Sequence, residues 1–262
     1  MLEFLKESTF RAGDVISRAL SILKNHYISI AGLCFMLFVT YNLSAFLAVY
    51  MAESPGFIRN LMFLIFVTLY FSIQLALIKR AILLAQGVKH SHFTQYIPTV
   101  KQFINFTFGL VLYSLLIGVV YILCSVIALP LLYLNVPMEM ISYEINPFLT
   151  GVVMMFILIR ISFFPFFILV NNYNIFRACR NSVAFTKGNV INLLMLIFVL
   201  AFTHLLQITF EYFEYNVFAK ISSVINTFIV IPLVSLVMAI AYIDMIREYK
   251  GSDDPELFKN II

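Results

Sequence analysis

Residues Phe103–Leu132 read FINFTFGLVLYSLLIGVVYILCSVIALPLL, thirty consecutive positions without Asp, Glu, Lys, Arg or His. A helix needs roughly 20 residues to cross a hydrocarbon core about 30 Å thick. This run exceeds that length, so it is expected to tilt or to bend at Pro130. Five further runs pass the same test: Ile28–Tyr50, Phe57–Ile78, Phe148–Val170, Val190–Phe210 and Val217–Tyr242. Only helices satisfy every backbone group within one segment in lipid. The chain therefore reads as an all-α, polytopic transmembrane bundle of six spans.

Composition agrees. Hydrophobic residues make up 62% of the 262 positions and charged residues 11%, against about half and one quarter in a soluble domain. Too few charges remain to coat a water-exposed surface. The expected organisation is one integral membrane domain over 1–262, with an amphipathic segment at 1–27, six spans within 28–242 and a tail at 243–262. The first 24 residues mix Glu3, Lys6, Glu7, Arg11, Asp14, Arg18 and Lys24. That stretch is too long and too mixed in charge for a signal-peptide n-region, so the first span is expected to be retained. Cys34, Cys124 and Cys179 are expected to be free thiols acting as small apolar residues.

Lys and Arg in short loops set orientation. Of 17 basic residues, 14 fall on one side: in the N-terminal segment, in the second loop (Lys79, Arg80, Lys89, Lys101), in the fourth loop (Arg177, Arg180, Lys187) and in the tail (Arg247, Lys250, Lys259). Arg59 and Lys220 fall on the other, and Arg160 lies inside a span. This predicts cytoplasmic termini and a bacterial cytoplasmic membrane location. The basic residues flank spans and form no single stripe, so no nucleic-acid partner is expected. Trp is absent, and tyrosines such as Tyr27, Tyr50, Tyr133, Tyr143, Tyr212 and Tyr242 take the interfacial positions.

Before the first span, Asp14–Lys24 (DVISRALSILK) places Val15, Ile16, Ala19, Leu20 and Leu23 on one helical face. Asp14 and Arg18 are spaced to pair at i, i+4, and the segment is expected to lie flat at the interface. Asn174–Lys187 reads similarly before the fifth span, with Asn174 as N-cap and Gly188 as C-cap. Phe93–Phe103 is a weaker version, disturbed by Pro98. Lys24, Lys101 and Lys187 then occupy equivalent places. The chain is expected to repeat one unit three times, an amphipathic helix followed by a transmembrane hairpin, about an axis along the membrane normal.

The stretch RISFFPFFILVNNY (Arg160–Tyr173), followed by Ala178, Ser182 and TKGN (Thr186–Asn189), resembles a bacterial integral-membrane family. That family includes the membrane domain attached to some glycerophosphodiester phosphodiesterases and related membrane domains of unknown function. Its span ends in an apolar-Pro-apolar run, here around Pro165, and an Asp/Asn turn, here Asn171 and Asn172. A helix with spaced Ala and Ser follows, then a corner matching Lys187, Gly188 and Asn189. The resemblance implies a six-span helical fold and carries no agreed chemistry. The phosphodiesterase domain itself has no counterpart in this chain.

Arg160 is the most informative single residue. It lies about 10 residues, roughly 15 Å, from the basic end of its span, and an intramembrane charge is a functional-site hypothesis by default. Three readings are open. Its guanidinium could bond carbonyls freed by Pro165, with polar neighbours such as Gln74. It could meet an anionic lipid or substrate, or it could meet a carboxylate of another membrane protein. His204 and Gln207 share one face of the fifth span, with Thr203 beside them and Glu211 one turn on. A hydrogen-bonded contact between helices explains this set better than a proton path. His90 and His92, two apart, lack a nearby third ligand and read as loop residues. No motif for hydrolysis or phosphate binding occurs, and no catalytic residue, metal or cofactor is expected. Two functions remain. One is a non-catalytic subunit assembling with another membrane protein in the lipid bilayer. The other is a transporter or flippase-like protein moving a lipid or small amphiphile.

Overall fold

The computed structural model describes residues 11–251 except 52, 54 and 89–91. His90, Lys6, Lys89, Lys259 and the acidic residues Glu3 and Glu7 lie outside the described residues. All regular structure among the described residues is helical. In chain order the helices are α1 (Ala12–Tyr50), α2 (Gly56–Ala85), α3 (Phe93–Tyr96), α4 (Val100–Ala128), α5 (Met138–Met140), α6 (Asn146–Ile161), α7 (Phe164–Asn171), α8 (Ile175–Phe185), α9 (Val190–Tyr212), α10 (Asn216–Ile225) and α11 (Ile231–Gly251). They make six segments long and apolar enough to cross a membrane, and the chain is a multi-pass membrane protein.

Prolines decide where these spans depart from α-geometry. A proline lacks an N–H and its ring crowds the carbonyl four residues back. Pro130 turns the end of the third span into a 3-10 segment, Leu129–Leu134. Pro147 and Pro232 are each preceded by a π segment, Ile141–Ile145 and Asn226–Val230. The Asn146 N–H reaches the Ile141 carbonyl, and the Ile231 N–H reaches the Asn226 carbonyl, each five residues back. Widening the turn by one residue keeps backbone groups paired where the ring would clash, which a dry environment requires. Pro98 holds α3 to a single turn ahead of α4, as its place in the sequence predicts.

The chain forms two compact units. The first joins the residues up to Phe103 with those from Ile191 onward. Within it α1, α2 and α11 pack against one another. Buried positions on α1 (Val15, Ala19, Leu23, Leu33, Leu37), α2 (Leu75, Leu77, Ala81) and α11 (Leu236, Ala239, Tyr242, Met245) form its core. The amphipathic segment before the first span is a helix set off from that span by a kink within α1. It is the start of α1, bent at His26, whose φ of −126° and ψ of 20° leave helical geometry. Val15, Ala19 and Leu23 of its apolar face are buried within the protein, and Leu20 lies on the protein surface.

Two charge assignments change. Arg18 pairs with Asp244 on α11, not with Asp14 one turn away, with both guanidinium nitrogens reaching the carboxylate. A partner on another helix fixes the docking of α1, which an i, i+4 pair on one helix face would not. Arg80 lies in no loop. The helix α2 runs on to Ala85, past the expected end at Ile78, and buries Arg80 to 3% exposure. Its Nε donates to Ser29 Oγ at 3.0 Å and its guanidinium sits 5.7 Å from the centre of the Tyr96 ring. A buried cation needs such partners.

The second unit spans Ile104–Val190. Val120 and Cys124 of α4 pack on Met154 of α6, with Tyr113, Leu149 and Ile157 around them. Asn146 Nδ2 donates to Ser125 Oγ at 2.6 Å, a polar contact inside this apolar seam. Farther along α4, Gly109 gives room to α7 and α8. A Cβ there would lie 2.6 Å from Ile175 Cδ1 and 2.9 Å from a Phe164 ring carbon, whereas one at Gly118 would meet nothing within 4 Å.

Two outcomes follow in detergent-solubilised protein. Gly109→Ala should lower thermal stability relative to Gly118→Ala by about 1–2 kcal/mol, because overpacking opposes the helix-propensity gain that both share. The reverse order in a thermal-shift assay would contradict the packing. Arg18→Glu should destabilise, and adding Asp244→Arg should recover about 0.5–1 kcal/mol of coupling, as for partly exposed pairs.

Candidate functional site

The fourth span breaks in two. The helix α6 stops at Ile161, Ser162 and Phe163 form a turn, and α7 begins at Phe164 with Pro165 as its second residue. Pro165 needs no N–H partner there, which is why the break falls just ahead of it. The break nonetheless strands the last carbonyls of α6 and the first N–H groups of α7. Hydroxyls meet them. Ser162 Oγ donates to the Ile159 carbonyl at 2.9 Å. Ser182 Oγ on α8 donates to the Arg160 carbonyl at 2.9 Å and accepts from the Phe163 N–H at 3.1 Å. Thr186 Oγ1 lies 3.3 Å from the same carbonyl, but its single proton has a nearer acceptor in the Ser182 carbonyl at 3.0 Å. One serine thus bridges both sides of the gap, using its donor and an acceptor at once.

The rest of the family-like motif holds α8 in place. Asn172 ends α7 in the left-handed region at φ 53°, and Asn174 caps α8 by accepting from the Arg177 N–H at 3.2 Å, as its position predicts. Asn171 and Asn172 are exposed, while Pro165, Ala178 and Asn189 are buried. Ala178 and Ser182 lie one turn apart on the buried face of α8, where small side chains allow close approach to the broken span. Phe163 and Phe167 each stack edge-on with Phe185. Tyr173 lies parallel to Phe167 and carries the Arg177 guanidinium 4.3 Å from its ring centre. Gly188 is no helix cap: α8 ends at Phe185, and Gly188 takes its φ of 95° in the turn beyond, beside exposed Lys187. Desolvation in this layer pushes the Cys179 thiol up, so it stays protonated and weakly nucleophilic. All three cysteines are free.

Arg160 sits in the last turn of α6, half-buried. Its side chain takes no hydrogen bond or ion pair among the described residues, while its carbonyl accepts from Ser182. The expectation that its guanidinium bonds carbonyls freed by Pro165 is therefore corrected. Hydroxyls, more compact and neutral, fill that role. What acts on the cation within its own helix is the negative end of the α6 dipole, a contribution of about 0.3–1 kcal/mol. Gln74, the polar neighbour expected for it, belongs to the other unit, and its Oε1 is buried without a hydrogen bond.

In the fifth span the structure separates the polar set. Gln207 Nε2 donates to Glu211 Oε1 at 2.9 Å, and Gln207 Oε1 accepts from Asn226 at 2.7 Å. This is an interhelical contact, made at the first residue of a π segment. His204 is exposed and takes no part, and Thr203 Oγ1 is buried without a partner. Asn226 escaped sequence reasoning, as did Asn146. Their one available signal was an Asn within two turns ahead of an intramembrane proline or beside it. His92 is exposed, and among the described residues no three His, Cys, Asp or Glu side chains come together. The chain matched no family model, no curated protein and no solved structure.

Ser182→Ala should cost roughly 1–3 kcal/mol, since it leaves a buried donor and a buried acceptor unpaired. Ser182→Thr keeps the hydroxyl and should lose less. Equal stability of Ser182→Ala and wild type in a thermal-shift assay would show that the break is satisfied otherwise.

Proposed function

We propose that this protein is a non-catalytic subunit of a membrane-protein complex, seated in a bacterial cytoplasmic membrane with both termini inside. Arg160 carries the reading. Its guanidinium lies about eleven residues, roughly 16 Å, from the end of α7, and a cation at that depth is costly without an anion. Among the described residues of its own unit none pairs with it, which supports an anion supplied by a partner. The clasp of Ser182 fixes the backbone from which this side chain projects. A carboxylate on a partner span suits it, because Arg pairs with carboxylates through two parallel hydrogen bonds. The distribution of Lys and Arg supports the orientation. The likeness to membrane domains of the glycerophosphodiester phosphodiesterase group belongs to the same proposal and adds no chemistry to it.

One observation favours a second reading, transport or flipping of a lipid or small amphiphile. Span four is discontinuous, and broken spans form binding sites in many transporters. In that case Arg160 would meet an anionic headgroup.

Tagged protein isolated gently in nanodiscs, with mass spectrometry of proteins and lipids, separates the two. The first reading expects a stoichiometric membrane-protein partner whose retention falls about tenfold or more in Arg160→Gln, a change of about 1.4 kcal/mol. A lone protein with Arg160-dependent lipid flux would replace it with the second. A lone protein without such flux would overturn both.

A further inference from the structure

The buried residues of α1 and α2 lie at one end of the pair. Buried positions on α1 lie at or before Leu37, and those on α2 lie at or after Leu75. Beyond them a groove of about 740 Å³ is lined by the remaining turns of both helices. That volume falls within the range of about 300–1,000 Å³ typical of small-molecule sites. The groove belongs wholly to the first unit and shares no residue with the broken span.

Its lining is apolar and aromatic. Tyr41, Ala45 and Ala48 line it on α1, and Phe63, Phe66 and Tyr70 on α2. The hydroxyls of Thr40 and Ser44 also face it, but they are returned to carbonyls of α1, Met36 at 2.8 Å and Tyr41 at 2.7 Å. Neither needs a ligand. One charge stands at the edge, Arg59 in the first turn of α2, exposed, its side chain without ion pair or hydrogen bond among the described residues. Glu53, the nearest described carboxylate in sequence, does not pair with it.

The dimensions match one leaflet. From Arg59 to Tyr70 the lining runs eleven residues, about 16 Å along α2. Half of a hydrocarbon core about 30 Å thick is about 15 Å. With Arg59 placed at the polar boundary, Tyr70 falls about one leaflet deeper, near the midplane.

We propose that this groove is a binding site for one anionic phospholipid of the leaflet opposite the basic loops. An acyl chain lies between α1 and α2, and the headgroup phosphate rests on Arg59. The unpaired cation sets the preference: a net-negative headgroup brings charge to it, while a zwitterionic one brings an ammonium for which no carboxylate is paired or placed in the groove. Shape comes from Ala45 and Ala48, whose small side chains leave the volume open.

The test uses full-length protein in nanodiscs holding equal amounts of phosphatidylglycerol and phosphatidylethanolamine, followed by native mass spectrometry of retained lipid. The wild type should keep one phosphatidylglycerol with at least a several-fold preference. Arg59→Gln should reduce that preference to the bulk ratio, and Arg59→Lys should retain part of it. Ala48→Trp, which fills the groove and leaves the charge, should remove the bound lipid. Both positions lie on a surface with no buried neighbours on their own helices, and a monodisperse elution profile confirms folding. Wild-type retention at the bulk ratio, or unchanged retention in either Arg59→Gln or Ala48→Trp, would overturn the proposal.

Discussion

The gap between Ile161 and Phe164 must be satisfied from within the chain, because hydrocarbon offers no hydrogen bond to a stranded carbonyl or N–H. Most of the second unit follows from that constraint. Pro165 makes an unbroken helix unfavourable, so α6 stops and α7 restarts. The loose groups then call for hydroxyls, and Ser182, fully buried, supplies one from α8. For α8 to come close enough, Ala178 must be small, Asn172 must reverse the chain in a left-handed turn, and Gly109 must leave room on α4. The aromatic layer of Phe163, Phe167 and Phe185 fills the remaining space. What reads in sequence as a degenerate motif is a set of parts answering one deficit.

The same constraint explains the π segments. At Pro147 and Pro232 the chain widens a turn and stays continuous, whereas at Pro165 it breaks. The Ser182 hydroxyl of a neighbouring helix bridges the break, and among the described residues no hydroxyl bridges the π turns in this way. Local geometry therefore follows from what surrounds each proline as well as from the proline itself. Asn146 and Asn226 sit at these widened turns and each donates to a side chain on another span, Ser125 and Gln207 respectively.

The fold class was legible because it depends on run length. Thirty uncharged residues from Phe103 have one home, and the six spans and the Asn174 cap are in place. Pro98 was legible for the same local reason. What could not be read depends on distant partners. Arg18 and Asp244 lie 226 positions apart, and nothing in either segment names the other. Arg80 looked like a loop charge because the apolar run ends at Ile78, yet Ser29 and Tyr96 allow the helix to carry it onward into the core. The three amphipathic segments share a pattern and differ in use: the first meets its span at the His26 kink, the second is a single turn, and α8 packs back on the span before it. Arg160 was legible as an anomaly, but its missing partner was not, since a sequence gives no account of which carbonyls a hydroxyl has already taken.

The central claim is that Arg160 answers to an anion on another protein. Phe156, one turn earlier on α6 and 52% exposed, shares its helix face. A photoactivatable phenylalanine analogue at that position, irradiated in intact cells, reports what lies there. The account predicts one discrete cross-linked product with a second membrane protein, lost when Arg160→Gln is added. Cross-linking to lipid alone, or a protein product indifferent to Arg160, would contradict it.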